Sequence, residues 1–220
     1  WFNTMTKNLN KRVYTSLFLI ILSLLMFKYS PVLLFILIVV GIFSIIEFSL
    51  LIKKVFKRNF LIFIFNLIFI LYVFIFCSLF FIFSIFFQIK ILLFSLLFCC
   101  VASDLGGFIF GKILNGPKLT KISPNKTIYG SIGSIILSSI TLYFIFYFIA
   151  FKTDIKILIV AIITSIFCQL GDLFFSYFKR RAKVKDTGNF LPGHGGFLDR
   201  VDGMLLGIPV GFIIFSLIFN

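Results

Sequence analysis

Long apolar stretches alternate with short polar ones along nearly the whole chain, and each is too long and too uniformly hydrophobic to be the amphipathic helix of a water-soluble core. The first runs from Val13 to about Phe27, behind Lys7, Lys11 and Arg12. A tight turn at Lys28 to Pro31 leads into the second, Val32 to Ile52, which contains Glu47. After the basic loop Lys53 to Arg58, apolar sequence continues from Phe60 to Phe87 and, beyond an outer loop at Gln88 to Lys90, from Ile91 to Phe110. A fifth stretch covers Ile132 to Phe151, a sixth follows the turn Lys152 to Lys156 and ends near Phe178, and the last is Met204 to Phe219. A helix needs about 20 residues to cross a bilayer, so Phe60 to Phe87 is one tilted crossing or two short ones. Parity selects one. With the basic amino-terminal segment and the Lys53 to Arg58 loop both cytoplasmic, a single crossing places the lysines of segment 112–126 and the Lys179 to Lys185 loop in the cytoplasm, as the positive-inside bias requires. The first run is followed by no small-residue cleavage site and reads as a retained span. The pattern predicts an all-α, polytopic membrane bundle of about seven transmembrane helices.

Composition sharpens this picture. The chain has 220 residues, 61% of them hydrophobic, and a mean hydropathy of +1.18, well above the roughly half-apolar usage of soluble domains. Its formal charge of +14 suits anionic lipids or phosphorylated substrates. Nucleic acid is not expected, because the basic residues sit in short loops between spans instead of on one domain face. Glu47, near the end of its span, is explained most simply by reaching the interface towards Lys53 and Lys54, although an intramembrane carboxylate is always a functional suspect. Cys77, Cys99, Cys100 and Cys168 lie in apolar runs without metal-binding spacing and read as small buried hydrophobes.

The stretch 171–203, GDLFFSYFKRRAKVKDTGNFLPGHGGFLDRVDG, departs from everything around it. Of seven acidic residues in the chain, four (Asp172, Asp186, Asp199 and Asp202) fall here with the only histidine, His194. Carboxylates, a Lys/Arg cluster and a glycine-flanked histidine together suit the joint binding of a metal ion and phosphates. On a helix, Asp172, Ser176 and Lys179 or Arg180 share a face, as do Asp199 and Asp202.

The order Ser176, Lys179, Arg180, then Lys185, Asp186, Gly188, then LPGHGG and LDRVD resembles the signature of the phosphatidate cytidylyltransferases, the CDP-diacylglycerol synthases. A second stretch, GKILNGPKLTKISPNKTIYGSIGS, resembles a lysine- and hydroxyl-rich pattern of the same family through Lys118, Ser123, Lys126, Thr127, Gly130 and Gly133, with Tyr129 and Ser134 departing from it. Ser103 and Asp104 match the start of a third, shorter pattern of the family. On this resemblance residues 1–88 supply amino-terminal transmembrane helices and residues 89–220 the catalytic membrane region.

The resemblance implies transfer of the cytidylyl group of CTP to phosphatidic acid, releasing pyrophosphate and forming CDP-diacylglycerol, at the cytoplasmic face of a bacterial inner membrane. It assigns Mg2+, with room for a second cation, to Asp186, Asp199 and Asp202, with Asp172 and Asp104 as further ligands or supports. It places Asp186, Lys185, Asp199, Arg200 and His194 in the catalytic group. Lys118, Ser123, Lys126, Thr127, Ser176, Lys179 and Arg180 would hold substrate, and Gly193, Gly195 and Gly196 would let backbone N–H groups approach phosphates. His194 is open between a hydrogen-bonded structural residue and a substrate contact; it is not assigned as a base. A homodimer is compatible with this reading. The rivals are another CTP-dependent lipid transferase or kinase acting on a polyprenyl or archaeal lipid, and a cation transporter. The transporter is disfavoured because the acids gather at one membrane face among basic residues instead of lining the midplane.

The parity argument yields a direct test. In a cysteine-free background, Lys118→Cys and Lys185→Cys should be shielded from an impermeant thiol reagent in intact cells, while Lys152→Cys should react; labelling of either of the first two from outside contradicts the seven-span topology.

Overall fold

The computed structural model describes residues 21–114, 116–120, 123, 126–150, 154–188 and 195–219. Its helices are α1 (Ser30–Val55), α2 (Asn59–Phe83), α3 (Phe87–Leu114), α4 (Ile128–Ala150), α5 (Lys156–Arg181) and α6 (Leu198–Phe219). Among the described residues these six are long and apolar enough to cross a membrane, as an all-helical polytopic bundle requires. Most of the expected first span lies outside the described residues; its described part, 21–28, is helical.

Several boundaries differ from the hydropathy pattern, two of them by enough to move a loop or a site residue. The expected outer loop at Gln88 to Lys90 is the first turn of α3, and α2 ends earlier, in a turn at residues 84–86. There the amides of Ser84, Ile85 and Phe86 bond back to Phe80, Ile82 and Phe83, and the Ser84 hydroxyl bonds the Phe81 carbonyl at 2.6 Å, so the turn is satisfied without glycine or proline. The stretch from Phe60 is accordingly one crossing helix. The last helix begins at Leu198, not Met204, which places both Asp199 and Asp202 within its first turns.

The described chain forms two units, one comprising residues up to Phe86 with Asp186–Asp199, the other Phe87–Lys185 with the chain from Arg200 onward. In the first unit, α1 buries a stripe of Leu33, Leu37, Gly41, Ser44, Glu47 and Leu51, spaced by three or four as a helix face demands. Phe48 stacks on Phe69 at 3.9 Å and Phe56 on Phe65 at 4.9 Å, joining α1 to α2. Pro31 suits the start of α1, where its missing N–H has no helical partner, and Lys53 and Lys54 sit at the negative end of the helix dipole.

In the second unit, α3 and α4 meet through small residues. The backbone of Gly106 lies against that of Gly133, and Gly107 and Gly111 lie against Gly130. Small residues allow such approach where lipid supplies no hydrophobic drive between helices. A polar ladder crosses the same unit: Ser103 and Ser165 hydroxyls pair at 2.8 Å, and the Ser131 hydroxyl donates to Gln169 Oε1 at 2.5 Å. Cys99, Cys100 and Cys168 are buried and free, as small hydrophobes.

A Cβ at Gly106 would run into the Gly133 carbonyl, whereas one at Gly41 would meet Val73 and Cys77 at an ordinary 3.5 Å. Gly106→Ala should therefore cost about 1–3 kcal/mol in reversible unfolding in mixed micelles. Gly41→Ala should be neutral or stabilising through helix propensity; equal effects would contradict the α3–α4 packing.

Candidate active site

In the second unit the carboxyl end of α5 presents Asp172, Ser176 and Lys179 on one face, as the i, i+4, i+7 spacing dictates. Ser176 Oγ donates to Asp172 Oδ1 at 3.2 Å, and Lys126 Nζ lies 2.5 Å from Asp172 Oδ2. One turn further along, Lys179 Nζ stands 3.5 Å from Asp202 Oδ2, both side chains about 10% exposed. Asp202 Oδ1 also accepts the Gly203 amide at 2.8 Å. Asp104, Asp172 and Asp202 lie within Coulombic range of one another, with Lys126 and Arg200 acting on Asp104 and Lys179 on Asp202. Close approach makes this possible: Gly171 of α5 lies against the backbone of Asp202 and Gly203.

Lys126 reaches Asp172 from a hairpin-like loop. Lys118 and Thr127 form an antiparallel bridge, the Leu119 amide bonds the Lys126 carbonyl at 2.8 Å, and the Lys126 amide bonds the Ser123 carbonyl at 3.0 Å. Thr127 Oγ1 accepts the Gly130 amide at 3.0 Å, so Thr127 caps the amino end of α4. The carboxyl end of α5 is itself a defined device. Val184 N bonds the Lys179 carbonyl and Lys183 N the Arg180 carbonyl, with Lys183 left-handed at φ 56°. This double closure of a helix end turns the chain sharply away from α5. Lys185 and Asp186 follow directly, both exposed.

The first unit carries a different arrangement. Asp199 Oδ2 accepts the amides of Thr187 at 2.8 Å and Gly196 at 3.0 Å. Gly195, at φ +82°, takes a conformation that favours glycine; a Cβ there would lie 3.2 Å from Asp199 Oδ2 and 3.5 Å from the Asp186 side chain. Bare backbone is thus held against both carboxylates. Glu47, expected to reach the interface, is instead fully buried and accepts bonds from Thr187 Oγ1 at 2.7 Å, Phe197 N at 3.0 Å and Leu198 N at 2.9 Å. Burying a carboxylate requires such compensation. Its partners lie 140 to 151 residues away in sequence, so no local pattern could reveal them. Only its placement inside an apolar run marked it.

The structure thus brings Asp104, Lys126, Asp172, Ser176, Lys179, Arg200 and Asp202 together in one unit, and Asp186, Gly195, Gly196 and Asp199 in the other. Ser123 and Thr127 build the loop that carries Lys126, Lys118 is exposed at its bridge, and Arg180 is exposed near the Val184 carbonyl. Gly193 and His194 lie outside the described residues. Among the described residues no three His, Cys, Asp or Glu side chains converge closely enough to cage an ion. Magnesium needs no such cage, since it commonly takes one or two carboxylates, substrate phosphate oxygens and several waters. Carboxylates each paired with a lysine fit that open mode of binding.

Six membrane-length helices among the described residues, with carboxylate–lysine pairs at the carboxyl end of α5, define a polytopic membrane protein. The chain belongs to the cytidylyltransferase family, whose model matches residues 2–218. It is similar to phosphatidate cytidylyltransferases of Staphylococcus haemolyticus (strain JCSC1435), 49% identical over 110 residues, and Staphylococcus aureus (strain COL), 47% identical over 110 residues; each match covers 49% of this chain and 42% of the relative. The phosphatidate cytidylyltransferase of Rickettsia bellii (strain RML369-C) is 41% identical over 131 residues, covering 56% of this chain and 57% of the relative. The chain therefore spans about half the length of the curated relatives it matches.

The capping geometry separates two roles for Thr127. Thr127→Ala should cost about 0.5–2 kcal/mol of stability and Thr127→Ser little; an alanine variant with unchanged unfolding would show that the hydroxyl does not serve the helix.

Proposed function

We propose that this protein transfers the cytidylyl group of CTP to phosphatidic acid, making CDP-diacylglycerol and pyrophosphate at the cytoplasmic face of a bacterial inner membrane. The observation that carries the proposal is the linked set Lys126–Asp172–Ser176 and Lys179–Asp202. Family membership and the similarity to bacterial phosphatidate cytidylyltransferases support the substrates, and the basic loops support the facing.

In the reaction a phosphate oxygen of phosphatidic acid bonds to the α-phosphorus of CTP, and the bond from that phosphorus to the bridging oxygen of pyrophosphate breaks. The attacking group is already an anion, so no side chain has to be activated as a nucleophile. What the site must supply is alignment of two polyanions and neutralisation of their charge. Lys126 and Lys179 are each held by a carboxylate, which positions the ammonium group until phosphate oxygens take the carboxylate's place. Ser176, bonded to Asp172, adds a hydroxyl on the same face. Lys185 and Arg200 supply further positive charge; the bare backbone of Gly195 leaves room for close approach beside Asp186 and Asp199, while the Gly196 amide is already given to Asp199. The proposed holders of Mg2+ or a second cation are Asp186 and Asp199 in the first unit and Asp202, with Asp172 and Asp104 nearby, in the second. Bound there, Mg2+ would supply electrostatic stabilisation of the phosphate oxygens and leaving group.

Pyrophosphate release by the purified protein should require CTP, phosphatidic acid and a divalent cation, and chelation should abolish it. Asp186→Asn and Asp199→Asn should each lower turnover by about 10²-fold or more, the scale of losing a metal ligand or comparable stabiliser. Asp154→Asn serves as the control, since among the described residues that carboxylate bonds the Lys156 amide, at 2.9 Å, at the start of α5. Full activity of Asp199→Asn, or activity indifferent to chelation, would contradict the assignment.

A further inference from the structure

We propose that Glu47 is a positioning residue that holds the segments around Asp186 and Asp199 in their working geometry without touching a reacting atom. The kinetic side of this inference rests on the cytidylyl-transfer reading; the structural side does not.

Glu47 belongs to a membrane-length helix, is 0% exposed, and has both oxygens engaged. Phe197 N donates to Oε1, while Thr187 Oγ1 and Leu198 N donate to Oε2. All three donors come from the chain that also carries Asp186, Gly195, Gly196 and Asp199. Thr187 is held twice, its hydroxyl by Glu47 and its amide by Asp199. The two carboxylates therefore share a residue, and the orientation of one depends on the other through it. Phe197 is fixed further by stacking on Phe43 of α1 at 4.8 Å.

The glycines complete the case. A Cβ at Gly188 would lie 2.6 Å from Glu47 Oε1, and one at Gly196 would overlap Glu47 Oε2 and Thr187 Oγ1. Both backbones are thus pressed onto the Glu47 carboxylate, and Gly196 uses the same proximity to give its amide to Asp199. A carboxylate suits this place because it has only acceptors to meet three donors. Glutamine at the same volume would turn an NH2 group onto a backbone N–H or the Thr187 hydroxyl.

The test uses the full chain in lipid nanodiscs, comparing wild type with Glu47→Gln and Thr187→Val. Three readouts apply: hydrogen exchange of 186–188 and 195–198, thermal midpoint, and kcat and KM for CTP and phosphatidic acid. For Glu47→Gln the account expects exchange in those segments faster by roughly tenfold or more, as for loss of a charge-assisted bond. It expects kcat to fall by about the same factor, with a much smaller change in KM, while exchange of the membrane helices stays at the wild-type level. Thr187→Val should move exchange and kcat the same way by a smaller amount. Unchanged exchange, or turnover lost only in proportion to folded protein, would overturn the proposal. If Glu47→Gln does not fold, Thr187→Val decides by the same criteria. If wild type shows no CTP-dependent turnover, the functional reading fails and hydrogen exchange alone decides this one.

Discussion

Charge in a chain this apolar must be compensated where it stands, and that constraint organises the molecule. Seven carboxylates against 21 lysines and arginines leave little freedom in how they are used. Glu47 takes three donors, Asp199 two amides, Asp172 a lysine and a serine, Asp202 a lysine and an amide, and Asp154 the amide that starts α5. Each arrangement fixes a turn, a helix end or a loop that apolar packing alone would leave undefined.

The two kinds of compensation have different consequences. Glu47 is satisfied by hydroxyl and amide hydrogens of its own unit, so its bonds are permanent parts of the fold. The Lys126–Asp172 and Lys179–Asp202 pairs are satisfied by lysine ammonium groups, the first partly exposed and the second largely buried, and a buried ion pair gains little net free energy over its separated, solvated partners. In the proposed chemistry a phosphate takes the carboxylate's place opposite such a lysine, with the hydroxyl of Ser176 on the same face of α5. That exchange is the physical core of the proposed chemistry, and it explains why carboxylates and cations occur together here instead of in separate patches.

Much of this was legible in the chain itself. The apolar runs predict the helices, and the i, i+4 spacing predicts the shared face of Asp172 and Ser176. The extra turns at helix ends were hidden, because hydropathy registers only the apolar part of a helix: α6 starts six residues before Met204 on a segment rich in charge. The turn at residues 84–86 was hidden for the opposite reason, being closed by a serine and backbone bonds within uninterrupted hydrophobic sequence. Thr127 was read as a substrate contact and is found capping a helix, a role that depends on where α4 begins. Glu47 was visible as an anomaly but not as a hub, since its meaning lies in chain brought to it from far along the sequence.

The central claim is that the transferred group is cytidylyl and the acceptor a lipid phosphate. It is tested most directly by incubating the purified protein with phosphatidic acid vesicles and CTP labelled at either the α- or the γ-phosphate, then counting label in the extracted lipid. The account predicts lipid label from α-labelled CTP alone, with the γ-label recovered in pyrophosphate. Label from the γ-position on the lipid, or from neither position, would contradict it.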